Sequence, residues 1–154
     1  MARSLPYTAG DIVAVPLRDE GFALGVIARA DGKGIALGYF FGQRIDALDK
    51  VTGPQALNPD NAAKVCRFGD RGIIKGLWAI VGRVTDWDPE KWPVPAFCRN
   101  GEILVQYDDR TLESVGTQRL PQSGCQDLPE DGLEGSGFVE IKLTKLIAAQ
   151  EKDI

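Results

Sequence analysis

The stretch 10–42 holds three short apolar runs, Asp11-Ile-Val-Ala-Val-Pro-Leu17, Phe22-Ala-Leu-Gly-Val-Ile-Ala-Arg29 and Ile35-Ala-Leu-Gly-Tyr-Phe-Phe41. Each run is rich in β-branched or aromatic residues. Two breaks containing glycine and aspartate separate them, Arg18-Asp-Glu-Gly21 and Asp31-Gly-Lys-Gly34. Runs of this kind predict successive antiparallel strands. The stretch therefore predicts a three-stranded meander, which later segments pack on or extend.

The composition of these strands predicts how the sheet is shaped and covered. Both alternating sets of the first strand are apolar, which predicts cover on both faces. Gly25 and Gly38 lie inside the second and third strands, where a glycine marks a bulge or a close approach of backbone. Two such glycines in neighbouring strands predict a strongly bent sheet or a small barrel.

The remaining segments extend this pattern. Strands are expected at 64–68, 77–84, 103–107, 112–119 and 138–143, and Asn58 with Pro59 predicts a short helix running through residues 62 and 63. We therefore expect a single domain over 1–154, mainly β, built as a bent antiparallel sheet or small barrel of about seven strands with one or two short helices. Residues 1–9 are expected to form a loose lead-in, and residues 145–154 a short helical end or a loose tail.

Composition places the chain among soluble globular proteins, with 44% hydrophobic and 26% charged residues. No apolar run reaches the length of a membrane span, and the N-terminus has no apolar core of a signal peptide. Cys66, Cys98 and Cys125 are odd in number and widely spaced, which argues against a disulfide framework and a zinc site. We expect a cytoplasmic protein whose thiols are reduced.

The chain has no histidine, so it lacks the commonest general base and metal ligand. This absence excludes most hydrolase active sites, although an enzyme could still use carboxylates, lysine or tyrosine. Gly32-Lys-Gly-Ile-Ala-Leu-Gly38 misses the spacing of a dinucleotide loop, and a hairpin turn explains it better. We expect no catalytic activity, no metal and no cofactor.

The net charge of −4 is unevenly distributed. Residues 1–85 hold 11 Lys and Arg against 8 Asp and Glu, whereas residues 86–134 hold 4 against 11. An acidic third argues against nucleic-acid binding, which needs a basic face. It suits a basic protein partner, although solvated acidic loops explain the same pattern without any partner.

The candidate binding residues lie in a proline-rich loop at 85–97 and in the segment that follows the strand at 103–107. Acids there would steer a basic partner, and an exposed tryptophan would anchor it. Alternatively, the tryptophans pack inward and pin the loop. A calcium loop is disfavoured because the spacing lacks its glycine and its distant glutamate. The candidates are Asp86, Trp87, Asp88, Glu90, Trp92, Asp108, Asp109 and Glu113.

Four motifs carry a family resemblance: Gly10-Asp-Ile-Val-Ala-Val-Pro-Leu17, Gly25-Val-Ile-Ala-Arg29, Trp78-Ala-Ile-Val-Gly82 and Pro95-Ala-Phe97. In this order and approximate spacing they resemble the immunity protein 26 family of bacterial polymorphic toxin systems. The resemblance implies a small cytoplasmic protein that neutralises a toxin made by the same or a neighbouring cell. It also implies that the partner is a nuclease or another basic enzyme.

Three functions follow from these observations. The first is a toxin-neutralising protein that covers a basic toxin domain with its acidic surface and blocks it sterically. The second is a small-ligand or peptide-binding β-barrel that uses a cleft between the bent sheet and the loop at 43–61. The third is a carboxylate enzyme, which the missing histidine makes the weakest of the three. The oligomeric state does not follow from the sequence.

Overall fold

The computed structural model describes residues 5–51, 53–120 and 124–152, and its centre is the expected meander. Strands β1 (Asp11–Pro16), β2 (Phe22–Ala30) and β3 (Ile35–Phe41) pair antiparallel in succession. The cross-strand partners include Ala14 with Leu24 and Val26 with Tyr39. The apolar runs and their polar breaks thus set both the strands and their order.

The later elements extend the meander and add a second, smaller sheet. In chain order they are β4 (Gly53–Gln55), β5 (Ala62–Gly69), α1 (Arg71–Ile74), β6 (Ala79–Val84), β7 (Phe97–Arg99), β8 (Ile103–Tyr107), β9 (Ser114–Arg119), β10 (Leu133–Glu134) and α2 (Ser136–Lys152).

The large sheet has seven strands in the order β10-β5-β3-β2-β1-β6-β4, and the small sheet has the order β7-β8-β9. The five central strands of the large sheet are antiparallel, while the edge strands β10 and β4 join in parallel. The sheet is open, so the bent-sheet form of the prediction is confirmed and the closed barrel is not adopted. Within the described ranges, no helix has the length and apolar character that crossing a membrane requires.

Both faces of the central strands are buried, as the apolar alternation predicts. On one face Val13, Ile27 and Phe40 pack under α2, which buries Val139, Leu143 and Ile147. On the other face Ile12, Val26 and Tyr39 pack under the connections after β3 and β6 and under the small sheet. The two long connections are therefore a structural layer of the protein.

Phe40 explains why two neighbouring strands carry interior glycines. Its fully buried ring lies across Gly25, its cross-strand partner, and across Gly38. A Cβ atom at either position would come within 2.7 Å of the ring. The ring also makes edge contacts with Phe68 and Trp78, at centroid distances of 5.5 and 5.9 Å. The glycines are thus a steric requirement of the core, and what approaches them is an aromatic ring rather than the predicted backbone.

The expected strand at 138–143 is wrong, since these residues lie in α2. Over six residues, apolar Val139, Ile141 and Leu143 alternate with polar residues as in a strand, so a strand fits nearly as well as a helix. The buried residues Val139, Leu143 and Ile147 recur every fourth position, which is the period of a helix. The tail is accordingly helical as far as Lys152, and residues 153–154 lie outside the described residues.

Two further expectations are corrected at local positions. The lead-in is not loose throughout, because the Tyr7 ring is buried and its hydroxyl donates to Asp70 Oδ2 at 2.7 Å. Residues 1–4 lie outside the described residues. Asn58 does cap a short 3-10 helix, Pro59–Asn61, by accepting from the backbone N–H of Asp60. That helix ends before Ala62, where β5 begins.

The expectation of three reduced thiols is also wrong for two of them. Cys98 in β7 and Cys125 are joined in a disulfide with a Cα–Cα distance of 5.5 Å, and Cys66 is the buried free thiol. Burial raises the pKa of Cys66 to about 12. Wide spacing in sequence therefore did not prevent the pairing, because the chain after β9 returns to lie beside β7.

Replacing Gly38 by alanine should destabilise the protein by about 1–3 kcal/mol, because the new methyl would overlap the Phe40 ring. The control is Gly69→Ala, since a Cβ at Gly69 meets no atom within 4 Å. Urea unfolding monitored by circular dichroism measures both. Equal midpoints for the two variants would contradict the packing of Phe40 on the glycines.

Reducing the disulfide should lower the free energy of unfolding by about 2–4 kcal/mol, because the bond closes a loop of 27 residues. Thiol labelling of the unreduced, unfolded protein should find Cys66 alone, and labelling after reduction should find all three. The double variant Cys98→Ala and Cys125→Ala should unfold identically with and without reductant. Three reactive thiols after refolding in air would show that the pair does not form.

Candidate functional site

The loop after β6 is held in place by a buried tryptophan and a short helix. Trp92 is 2% exposed and makes edge contacts with Tyr39 and Phe41, at centroid distances of 5.1 and 6.2 Å. Asp88 caps the 3-10 helix Pro89–Lys91 by accepting from the backbone N–H of Glu90 at 3.0 Å. The Tyr39 hydroxyl also donates to the Pro93 carbonyl. The loop is therefore fixed despite its three prolines.

Trp87 is the half-buried tryptophan of this loop. Its ring lies 5.9 Å from that of Trp92 and covers Gly10, where a Cβ would come within 2.8 Å of Trp87 Cγ. Gly10 also has φ +97°, a conformation that other residues rarely adopt. The pairing fixes the orientation of Trp87 and leaves part of its ring at the surface.

The second group of acids lies in the turn between β8 and β9. Asp108 accepts from the backbone N–H groups of Thr111 and Arg110, both at 2.8 Å, and these bonds hold the pKa of its carboxyl below its ordinary value. The lowered pKa means that this bonding stabilises the folded turn at neutral pH and is lost as the pH falls through that pKa. Asp108 therefore both shapes the turn and keeps its charge at neutral pH.

Arg29, at the end of β2, joins the loop to the turn. Its guanidinium donates to the carbonyls of Pro89 and Trp92 at 3.1 and 3.2 Å, and its Nε pairs with Asp109 Oδ1 at 3.1 Å. The Arg29 side chain is 14% exposed. Since one buried guanidinium contacts both segments, the two groups of acids lie side by side on one part of the surface. We call the residues of these segments, 86–92 and 108–113, the acidic surface.

The acidic surface keeps most of its negative charge. Its six carboxylates face Lys91 and Arg110 within the same segments, and the ion pair with Arg29 involves only Asp109. Within the described chain, the other five carboxylates form no ion pair. The field of these carboxylates is therefore directed to the solvent.

In the other acidic segment, residues 124–134, two of the four acids, Asp131 and Glu134, are paired within the protein. Asp131 accepts from Arg99 and from the Tyr107 hydroxyl, and Glu134 pairs with Lys64 at 2.7 Å. Backbone bonds from Cys98 to Pro129 and from Asp131 to Cys98 fasten the same segment to β7. Asp127 and Glu130 are exposed and form no ion pair within the described chain, so this segment is neutralised only in part.

The structure places the predicted site residues at different depths. Asp86, Glu90, Asp109 and Glu113 are exposed, while Trp87, Asp88 and Asp108 are half-buried. Trp92 is buried, so it supports the loop from beneath and offers no surface to a partner. Sequence reasoning missed Arg29, although a single charge near the end of a nine-residue, largely apolar strand is a signal that could have found it.

The described residues contain no group of three or more Cys, Asp or Glu side chains arranged to hold a metal ion. The carboxylates of the acidic surface instead accept backbone N–H groups or point to solvent. What the arrangement offers chemically is a fixed, negatively charged surface beside a partly exposed indole ring. Such a surface fits recognition of a cationic partner.

Comparison with known proteins identifies the scaffold that carries this surface. The family model described as Immunity protein 26 matches residues 8–109, which span β1 to the start of the turn after β8. The chain belongs to the immunity protein 26 family. The match confirms the resemblance carried by the four motifs. Comparisons with curated proteins and with solved structures gave no match.

The extent of the family match bears on the two acidic segments. It includes the loop at 85–97, whose last three residues are the fourth motif of the resemblance, and it ends at Asp109. Glu113 and the segment 124–134 lie beyond it. In this immunity protein the acidic surface therefore straddles the boundary of the matched region.

Arg29→Met should loosen the acidic surface, because methionine keeps the apolar stem but loses the donors to Pro89, Trp92 and Asp109. We expect the free energy of unfolding to fall by about 1–3 kcal/mol. Amide hydrogen exchange should accelerate in 86–92 and 108–113 before other parts of the protein. Arg83→Met is the control, since the exposed pair of Arg83 with Asp11 is worth less than about 1 kcal/mol. Exchange that is unchanged in both segments would disprove the linking role of Arg29.

Proposed function

We propose that this protein neutralises a cognate protein toxin by binding a basic domain of it and covering its working surface. Membership of the immunity protein 26 family carries the proposal, because an immunity protein needs a toxin to act on. The acidic surface supports the choice of a basic partner. The toxin would be a nuclease or another enzyme with a cationic groove.

The charge of the acidic surface supports fast and selective recognition. Five unpaired carboxylates raise the local concentration of a cationic partner and orient it before contact. Each exposed carboxylate adds little to the final affinity, because solvent and salt screen it. We therefore assign the acids chiefly to association, with Asp86, Glu90 and Glu113 as the exposed members that form no ion pair within the described chain.

Trp87 supports the tight part of the contact. Its ring is backed by Trp92 and Gly10, so a partner that covers it meets a surface already fixed in place. Fixed aromatic residues at the centre of an interface lose little conformational entropy on binding, and they often dominate the affinity. Trp92 acts indirectly by supporting Trp87, and Arg29 holds both groups of acids beside it.

The proposed mode of action is binding without catalysis. Covering the toxin's groove excludes its substrate and requires no chemical step. A cytoplasmic site of action requires the fold to tolerate reduced Cys98 and Cys125, since the cytosol keeps thiols reduced. The backbone bonds of Cys98 and the pair of Arg99 with Asp131, at 2.9 Å, hold the same segment without the disulfide.

Charge reversal of the acidic surface tests the proposal. The variant Asp86→Lys, Glu90→Lys, Asp109→Lys and Glu113→Lys should lower the association rate with the toxin domain encoded by the adjacent gene by about 10–1,000-fold. The loss should be largest at low salt. Stopped-flow or surface plasmon resonance measures the rate, and a toxin activity assay measures neutralisation.

A matched control carries the same change in charge at exposed positions elsewhere, Glu20→Lys, Asp46→Lys, Asp49→Lys and Asp60→Lys. It should retain the association rate within about threefold, because distant exposed charges are screened. Equal losses in both variants would show that net charge matters and that the acidic surface is not the interface. Normal binding by the first variant would remove this surface from the proposal.

A further inference from the structure

A cavity of about 530 Å³ lies between the sheet and the connection after β3. Its walls come from β2, from the end of β3, from the segment before β5 and from the last turns of α2. Its volume falls in the range of sites that hold small ligands. It also lies where the sequence predicts a cleft, between the bent sheet and the loop at 43–61.

The cavity and the exposed acids lie at different places along β2, although Phe41 in the cavity contacts the buried Trp92 ring at a centroid distance of 6.2 Å. Leu24 lies in its wall and Arg29 holds the acidic surface, and the two residues are five positions apart along β2. At about 3.3 Å per residue the separation along the strand is about 17 Å. A ligand here would therefore leave the proposed toxin-binding residues uncovered, so the inference goes beyond the proposed function.

The walls of the cavity carry no charge. Leu24, Phe41 and Leu57 give it an apolar floor, and none of the described residues that line it is acidic or basic. An ionised group placed there would lose its hydration without gaining an ionic partner, which is costly. The cavity therefore selects an uncharged ligand with an apolar part.

Four carboxamide side chains complete the lining: Gln43, Asn58, Asn61 and Gln150. The Asn58 oxygen is used by the backbone N–H of Asp60, which leaves its NH₂ group as a donor. The side chains of Gln43, Asn61 and Gln150 make no hydrogen bond with any described residue. Each amide offers one acceptor and two donors, so the set complements groups that both donate and accept.

The Gln150 amide packs closely against Gly42 in the wall of the cavity. A Cβ atom at Gly42 would come within 2.9 Å of Gln150 Oε1 and 3.2 Å of Ala63 Cβ. The Gln150 amide thus lies against bare backbone at the end of β3. This contact places a hydrogen-bonding group of α2 directly over the apolar floor.

We propose that this cavity binds an uncharged peptide segment, with one apolar side chain on the floor and its flanking peptide groups on the carboxamides. A peptide group carries one donor and one acceptor, which is the pairing that an Asn or Gln side chain completes. The apolar floor accommodates an aliphatic side chain such as that of leucine. An acidic or basic side chain in place of the apolar one is disfavoured, because the lining offers it no ionic partner.

The test uses the ¹⁵N-labelled full-length protein and blocked tripeptides. Acetyl-Gly-Leu-Gly-amide should shift the side-chain NH₂ signals of Gln43, Asn61 and Gln150 in a saturable manner. The peptides with Lys or Glu in place of Leu should bind at least about tenfold more weakly. Absence of saturable shifts with the leucine peptide up to about 10 mM, or equal binding of all three peptides, would overturn the proposal.

A pair of matched variants separates binding at the cavity from binding elsewhere. Gln150→Met keeps the length of an exposed helical side chain and removes its amide. It should therefore weaken binding of the leucine peptide several-fold. Gln118→Met makes the same change at an exposed position of β9 and should leave binding unchanged. Glucose serves as an uncharged, non-peptide probe. Tighter binding of glucose than of the leucine peptide would refute the peptide assignment.

Discussion

The structure depends on the apolar character of both faces of β1, β2 and β3. A sheet with two apolar faces needs cover on each, and the chain supplies two different covers. On one face α2 buries Val139, Leu143 and Ile147. On the other face no long helix is present among the described residues, and the connections after β3 and β6 pack there together with the small sheet. The long connections are therefore explained by burial of the sheet before any function is considered.

This cover explains how exposed carboxylates come to be fixed in space. A loop made only of Asp, Glu and Pro would have no buried side chain to fix its conformation. Here Trp92 buries its ring in the second core, and Arg29 reaches from β2 to the backbone of the same loop. The Arg29 guanidinium is itself desolvated, so its donors need the Pro89 and Trp92 carbonyls and the Asp109 carboxylate. The acids thus gain a defined geometry from the packing beneath them.

The parts of the fold that sequence could predict are those set by short-range pattern. The meander follows from strand-length apolar runs and turn residues, whereas the Phe40 ring over Gly25 and Gly38 is a packing contact that the strand rules do not identify. Residues 138–143 show the limit of that reasoning. Six residues fit a strand and a helix nearly equally, and only Ile147, beyond the window, shows the four-residue period of α2.

Long-range pairing could not be predicted in the same way. Cys98 and Cys125 meet because the chain turns back after β9 and lies beside β7. The spacing of the two cysteines in the sequence does not predict this course of the chain. Likewise, the acids were found in the sequence as two separate groups. That they adjoin depends on Arg29, whose three long-range partners lie 60 or more positions away in the chain. Composition predicted the charge of the surface, whereas tertiary contacts determined its shape.

The family match covers most of the scaffold that positions the acidic surface. The matched residues 8–109 include β1, β2, β3, β5 and β6, together with Trp92 and Arg29, so they hold both the sheet and the support of the first acidic loop. Glu113, Cys125 and α2 lie beyond the matched residues. Exposed acids such as Asp86 and Glu90 make no contact that the core requires, so they can change while Trp92 and Arg29 stay. The residues that position the acidic surface are thus distinct from its exposed acids, so under the proposed function the choice of partner could change while the scaffold is kept.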